Sequence, residues 1–372
     1  MVALIAFWSC GNINGINEEV GRNYLRLPFV RVLLDDTSLS ANISSDHTYS
    51  IECLESGQQF VYHYSNPISV DVKNTRLAVK DNQGTTIHDD LDEVNIFAEG
   101  KGGLLRFGDK RYRGIIKVLP GGKTVQVINI VYLEDYLRGV VPPEIGERTP
   151  DEVEAVKAQA VAARTYAMAH LGQYPEQQYD IKSSIIDQVY DGYNIEQELV
   201  NRAIDATEGK VIFYQDEFIN AYYHSTCGGM TDNIDHVWDR KESPYLKAVT
   251  DSGACSWSKY YIWREFFTES QLRSRIEQFL SSDRGRDFKI NRIKDITILN
   301  RTPGGRVEEL IVNSDNDFFS FKKDRIRWVI GRTSNPDLIL PSDRFSIEID
   351  RDGAGYVTGV TFTGRGYGHG VG

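Results

Sequence analysis

The chain has 372 residues, enough for one large domain or two ordinary ones, each with a proper core. Its 42 basic and 53 acidic residues leave a net charge of −11 with no Lys/Arg run, which argues against a nucleic-acid partner. The cysteines Cys10, Cys53, Cys227 and Cys255 are too few for a disulfide-stapled scaffold, and no apolar run reaches the roughly 18 residues of a membrane-spanning helix.

Residues 1–25 read as a signal-like segment and linker. MVALIAFWS ends at Cys10 and is followed by polar GNINGINEE, which matches the end of a bacterial lipoprotein signal with Cys10 as the lipidation site. A frayed apolar N-terminus is the other reading. Residues 26–129 form a β-rich region. FVRVLL (Phe29 to Leu34), TYSIECL (Thr48 to Leu54), QFVYHY (Gln59 to Tyr64) and ISVDV (Ile68 to Val72) alternate or run apolar, and GIIKVL, Pro120-Gly121-Gly122 and TVQVINI predict a hairpin. His47, His63 and His88 sit alone in this region and read as structural or surface residues.

The stretch from Leu133 to Tyr166 organises the rest. It holds one carboxylate, Glu144, behind Pro142-Pro143, so the expectation is an acid on a stiff loop at a helix entrance. Val140, Val141, Pro142, Pro143 and Ile145 offer apolar surroundings that would raise its pKa and suit a general acid. The alternative is an acid placed near a helix N-terminus for the dipole alone. Thr149-Pro150-Asp151-Glu152 is a capping box with Pro at the first helical position. Val153, Val156, Ala160, Ala163 and Ala167 then recur at helical spacing, predicting a buried helix with a stripe of small residues.

A second helix is predicted over Ile195 to Thr207, stopping near Gly209. Lys210 to Gly229 reads as a hairpin whose second strand runs into His224, Ser225, Thr226 and Cys227. Thr268 to Gln271 opens a further helix to about Leu280. A hairpin turned at Pro303-Gly304-Gly305, a short helix over Arg325 to Gly331 and a last strand pair complete the pattern. The glycine-rich GRGYGHGVG follows, either bending against a neighbour and presenting His369 to a ligand, or forming a loose tail.

His224, Cys227 and Cys255 are three possible zinc ligands, without CxxC or HxxxH spacing and without a fourth ligand. A Cys227–Cys255 disulfide suits an exported protein better. A His224/Ser225 nucleophilic pair has poor geometry, because neighbouring strand residues face opposite ways.

LEDYLRGVVPPEI, EAVKAQAVAARTYA, DQVYDG, YYHSTCGGMT, VWD, PYLKAV and GRGYGHGVG together resemble the stage II sporulation protein D (SpoIID) and amidase enhancer LytB family, in family order from about Val131 to Gly372. The resemblance implies an α+β protein whose residues 130–372 form a SpoIID-like catalytic domain with a glycan cleft. It further implies an extracytoplasmic, cell-envelope location and peptidoglycan glycan strands as partner. The activity implied is that of a lytic transglycosylase cutting strands that lack stem peptides, with Glu144 catalytic. Arg164, Tyr166, Tyr190, His224, Ser225, Thr226 and His369 are the residues expected to bind substrate. The other branch implies a non-catalytic protein that stimulates an amidase. An amidase or peptidase using His224 and Cys227 is a third expectation.

Some sporulation members bind zinc in the segment before QVY. Here that segment is SSIIDQVY, without His or Cys, which predicts no metal and no cofactor. The family's glycine-rich end continues into a further segment, so the domain is expected to be truncated at its C-terminal end.

Overall fold

The computed structural model describes residues 28–372 except 56, 101, 316, 336 and 337, so the expected lipidation site, Cys10, lies outside the described residues. Among the described residues, strands and six α-helices are mixed, as an α+β class requires. The chain divides into two compact units, one ending at Ala221 and one running from Tyr222 to Gly372.

In the first unit, a seven-stranded sheet runs in the order Ile181–Lys182, Phe29–Asp35, Thr124–Tyr132, Ile115–Gly121, Glu93–Ala98, Tyr49–Glu55, Gln58–Tyr64. A six-stranded sheet contains Ser40–Ser45, Ile68–Lys73 and Arg76–Lys80 at its centre. The sequence alternation has its usual cause: Tyr49, Ile51 and Cys53 point inward and are buried, while the residues between them are not. The expected hairpin joins Ile115–Gly121 to Thr124–Tyr132, with Gly121 opposite Thr124. Two histidines of this region have side-chain partners: His63 Nδ1 lies 2.5 Å from Glu99, and His88 Nε2 lies 2.6 Å from the Tyr64 hydroxyl.

Thr124–Tyr132 runs straight into a helix, Leu133–Ile145, that the sequence reading took for a loop. Leu133, Tyr136, Leu137, Val140 and Val141 bury one face of it, and Glu134 and Asp135 occupy the first turn, where the dipole favours acids. The capping box forms as expected. The Thr149 N–H donates to Glu152 Oε2 at 3.0 Å, and a 3₁₀ turn over Pro150–Glu152 leads into the helix Val153–His170. Val156, Ala160, Ala163 and Ala167 are fully buried along it. The next helix is shorter than expected, Glu198–Ala206, because residues 192–195 form a separate 3₁₀ turn.

The second unit has two three-stranded sheets, Trp263–Thr268, Val357–Gly364, Phe345–Arg351 and Ile293–Arg301, Val307–Ser314, Phe318–Lys322, with the hairpins read from sequence. The helix Glu269–Arg284 is capped as expected: Gln271 N–H donates to Thr268 Oγ1 and Thr268 N–H to Gln271 Oε1. Its Leu272 and Ile276 pack in one core with Phe267, Leu310, Val329 and Phe362.

Candidate active site

Glu144 lies in the last turn of the Leu133–Ile145 helix, with Pro142 and Pro143 inside that helix. A proline has no N–H, so Pro143 leaves the carbonyl of Gly139 without its helical partner. The N–H of Asp191 takes that place, donating to Gly139 O at 3.1 Å. Residues 188–191, the QVYD of the sequence motif, are thereby docked on the helix end. Val189 N–H donates to Glu144 Oε1 at 2.9 Å, the Tyr136 hydroxyl donates to Gln188 Oε1 at 3.0 Å, and the Tyr190 hydroxyl donates to Asn129 Oδ1 at 2.8 Å. Gly139 is glycine because the Tyr190 ring lies against it; a Cβ there would stand 2.5 Å from a ring carbon.

Glu144 is half-buried. Loss of solvent raises its pKa above the usual carboxyl range, and the Val189 N–H pulls the other way. The helix C-terminus adds its partial negative charge, which also disfavours a carboxylate. One of its oxygens, Oε1, is held by the backbone.

The remaining expected residues of this unit are placed differently from one another. Arg164 is fully buried. Its Nε and Nη2 each donate to a Glu134 oxygen at 2.7 Å, and Nη1 donates to the Lys210 carbonyl at 3.1 Å. Expected to line a glycan cleft, it is here fully buried and ties two helices together. Tyr166 and Tyr190 are 5% and 3% exposed, with their hydroxyls on Asp187 and Asn129. They hold the motif in place from beneath.

In the second unit, the GRGYGHGVG run is an ordered segment packed on the HSTCGG segment, which settles the choice between a bend and a loose tail. Thr226 and Tyr367 exchange backbone hydrogen bonds at 3.0 and 2.7 Å. Gly370 has φ +81°, and a Cβ on it would stand 2.0 Å from the buried Arg306 guanidinium, which itself pairs with Asp343 at 2.6 Å. The rings of His224 and His369 lie 5.4 Å apart, and Trp238 lies 4.8 Å from His369. Burial lowers the pKa of His224 to about 4, with the Arg306 charge adding to it, and His369 is pushed down for the same first reason. Both rings are therefore neutral at pH 7. His224 Nδ1 meets the Val371 carbonyl at 3.2 Å, not Cys227. Ser225 is exposed, whereas Thr226 is buried with its hydroxyl 2.8 Å from Ser258.

The sulfurs of the expected disulfide pair, Cys227 and Cys255, lie side by side 3.4 Å apart. A carboxylate that the sequence reading missed sits between them. Cys227 Sγ is 2.8 Å from Asp251 Oδ2, which also accepts from the Cys255 N–H at 3.2 Å. Hydrogen bonds from the two thiols hold the Asp251 pKa down at about 2, and burial pushes Cys227 up to about 12. Asp251 lies four positions before Cys255, a spacing with no motif of its own.

The fold and site thus define an α+β protein in which a shielded carboxyl, Glu144, stands at a helix end. Residues 121–214 match the family model described as SpoIID, stage II sporulation protein, and residues 254–372 match a domain of unknown function. An uncharacterized protein of Brachyspira hyodysenteriae is 28% identical over 92% of this chain and 84% of its own length. Stage II sporulation protein D of Bacillus amyloliquefaciens is 30% identical over 64% of this chain and 65% of its own. The amidase enhancer of Bacillus subtilis is 27% identical over 63% of this chain, a match that spans 36% of the enhancer. The family-model match and the relatives named stage II sporulation protein D and amidase enhancer support membership of the SpoIID/LytB family.

Proposed function

We propose that this protein is a cell-envelope peptidoglycan lytic transglycosylase in which Glu144 acts first as acid and then as base. Family membership supports a cell-wall-related role. The observation that supports the finer reading is the setting of Glu144, desolvated so that its pKa is raised, with Oε1 on the Val189 N–H. The proton on Oε2 passes to the glycosidic oxygen between N-acetylmuramic acid and N-acetylglucosamine as the C1–O bond breaks. The resulting carboxylate, steadied by the Val189 N–H, takes the proton from the muramoyl C6 hydroxyl. That oxygen bonds to C1 and closes a 1,6-anhydro ring. Because the hydroxyl is the nucleophile, neither a water nor a second carboxylate is needed, in contrast to two-carboxylate glycosidases.

In the second unit, exposed Ser225 and half-buried His224 and His369 are the groups we assign to saccharide binding, while Thr226 serves the backbone. Location outside the cytoplasm, with Cys10 as a lipid anchor, belongs to the same proposal. Replacing Glu144 by Gln keeps an acceptor for Val189 and removes the transferable proton. The expected result is a loss of anhydromuramoyl ends by about 10²- to 10⁴-fold. Undiminished product from a folded E144Q variant sinks the assignment.

The match to a protein named amidase enhancer favours a second reading, a protein that binds glycan and stimulates an amidase without cutting. Products that form only when an amidase is supplied would select it.

A further inference from the structure

We propose that Cys227, Asp251 and Cys255 form a binding site for a thiophilic divalent cation of the zinc class. Of the three possible zinc ligands that the sequence offers, His224 turns its ring to Val371, and the group beside the two cysteines is Asp251. Sγ of Cys227, Sγ of Cys255 and a carboxylate oxygen of Asp251 all lie within 4.8 Å of one another. The sulfur separation of 3.4 Å suits an ion held between the pair. Two thiolates on a tetrahedral zinc ion, each at about 2.3 Å, stand roughly 3.7 Å apart, so the pair opens by only about 0.3 Å to take the ion. A disulfide needs about 2.05 Å, a closure of about 1.4 Å.

The ligands are oriented by the backbone around them. Gly229 N–H donates to Cys227 Sγ at 3.2 Å, Gly253 N–H donates to Asp251 Oδ1 at 2.8 Å, and Cys255 N–H donates to Asp251 Oδ2 at 3.2 Å. Such outer contacts fix the direction of a ligand's lone pairs before the ion arrives. Cys227 is buried, whereas Asp251 and Cys255 are half-exposed. The half-exposed side gives the ion its way in and room for a solvent molecule as fourth ligand. Two sulfurs and one oxygen suit zinc, while magnesium and calcium prefer oxygen alone. As the ion binds, the two thiol protons leave to solvent. The bound ion staples residues 251–255 to the HSTCGG segment. The proposal does not rest on the chemistry of Glu144.

The test uses the full chain carrying Cys10→Ser and Cys53→Ser, purified under reducing conditions, stripped with chelator and titrated with Co²⁺ alone. The expected result is a thiolate-to-cobalt charge-transfer band that saturates at one ion per chain and is bleached by Zn²⁺. Asp251→Asn and Cys255→Ser should each weaken binding by about tenfold or more. Absence of the band while both thiols titrate as reduced overturns the proposal. So does protein isolated without reductant in which the peptides of Cys227 and Cys255 are linked and two hydrogens lighter. The titration of the parent chain decides the matter even if a variant fails to fold.

Discussion

A carboxyl in the last turn of a helix is disfavoured as an anion both by burial and by the dipole, and Glu144 stands in both conditions. Its folded pKa is raised, so the folded state holds the proton more tightly than the unfolded chain does. Stability therefore falls as pH rises from the ordinary carboxyl range through the folded pKa, with a slope of up to about 1.4 kcal/mol per pH unit. The Gln variant has no charge to bury and keeps the Val189 hydrogen bond. It should unfold at higher urea concentration than the parent at pH 7, and the two should converge below about pH 4, where both side chains are neutral. Equal midpoints across that range would mean that Glu144 is not desolvated as described.

At the scale of elements, Arg164 makes the strongest prediction. Its bidentate pair with Glu134 joins the Val153–His170 and Leu133–Ile145 helices in a buried setting. Arg164→Met leaves Glu134 charged without a partner and should cost about 3–5 kcal/mol in urea unfolding. Adding Glu134→Gln should recover part of that loss. A stable R164M protein with weakened glycan binding would instead restore the arginine to substrate contact. The sequence revealed the capping boxes at Thr149 and Thr268, the Pro120 and Pro303 hairpins and the alternating strands, because each depends on near neighbours. It hid the helix that carries Glu144, since two adjacent prolines argue locally for a break. Only the long-range bond from Asp191 to Gly139 makes that turn acceptable. It hid the burial of Arg164 for the same reason, as Glu134 lies thirty positions away. Asp251 escaped notice because the contact between Cys227 and Cys255 that gives it meaning is made by the fold.

At the scale of the whole molecule, the second unit carries a pH dependence of opposite sign to that of Glu144. His224 has a folded pKa of about 4, and His369 is lowered too. Their contribution to stability is complete above the unfolded value of about 6.5 and is lost as pH falls towards 4, because the unfolded chain gains protons that the folded unit refuses. Four of the five tryptophans, Trp238, Trp257, Trp263 and Trp328, lie in that unit, so with Trp8 replaced by Phe the tryptophan fluorescence during urea unfolding reports it. The midpoint should drop between pH 6.5 and 4, and His224→Gln should flatten the drop. An unchanged slope in H224Q would place the pH dependence on other groups.

What the intact protein does to glycan decides its function. Purified protein, alone, is incubated with peptidoglycan strands stripped of stem peptides and with intact peptidoglycan, and the new ends are identified by mass spectrometry. The prediction is 1,6-anhydromuramoyl ends, formed from stripped strands without any added amidase and absent with E144Q. Hydrated reducing ends, or no cleavage until an amidase is supplied, would contradict it.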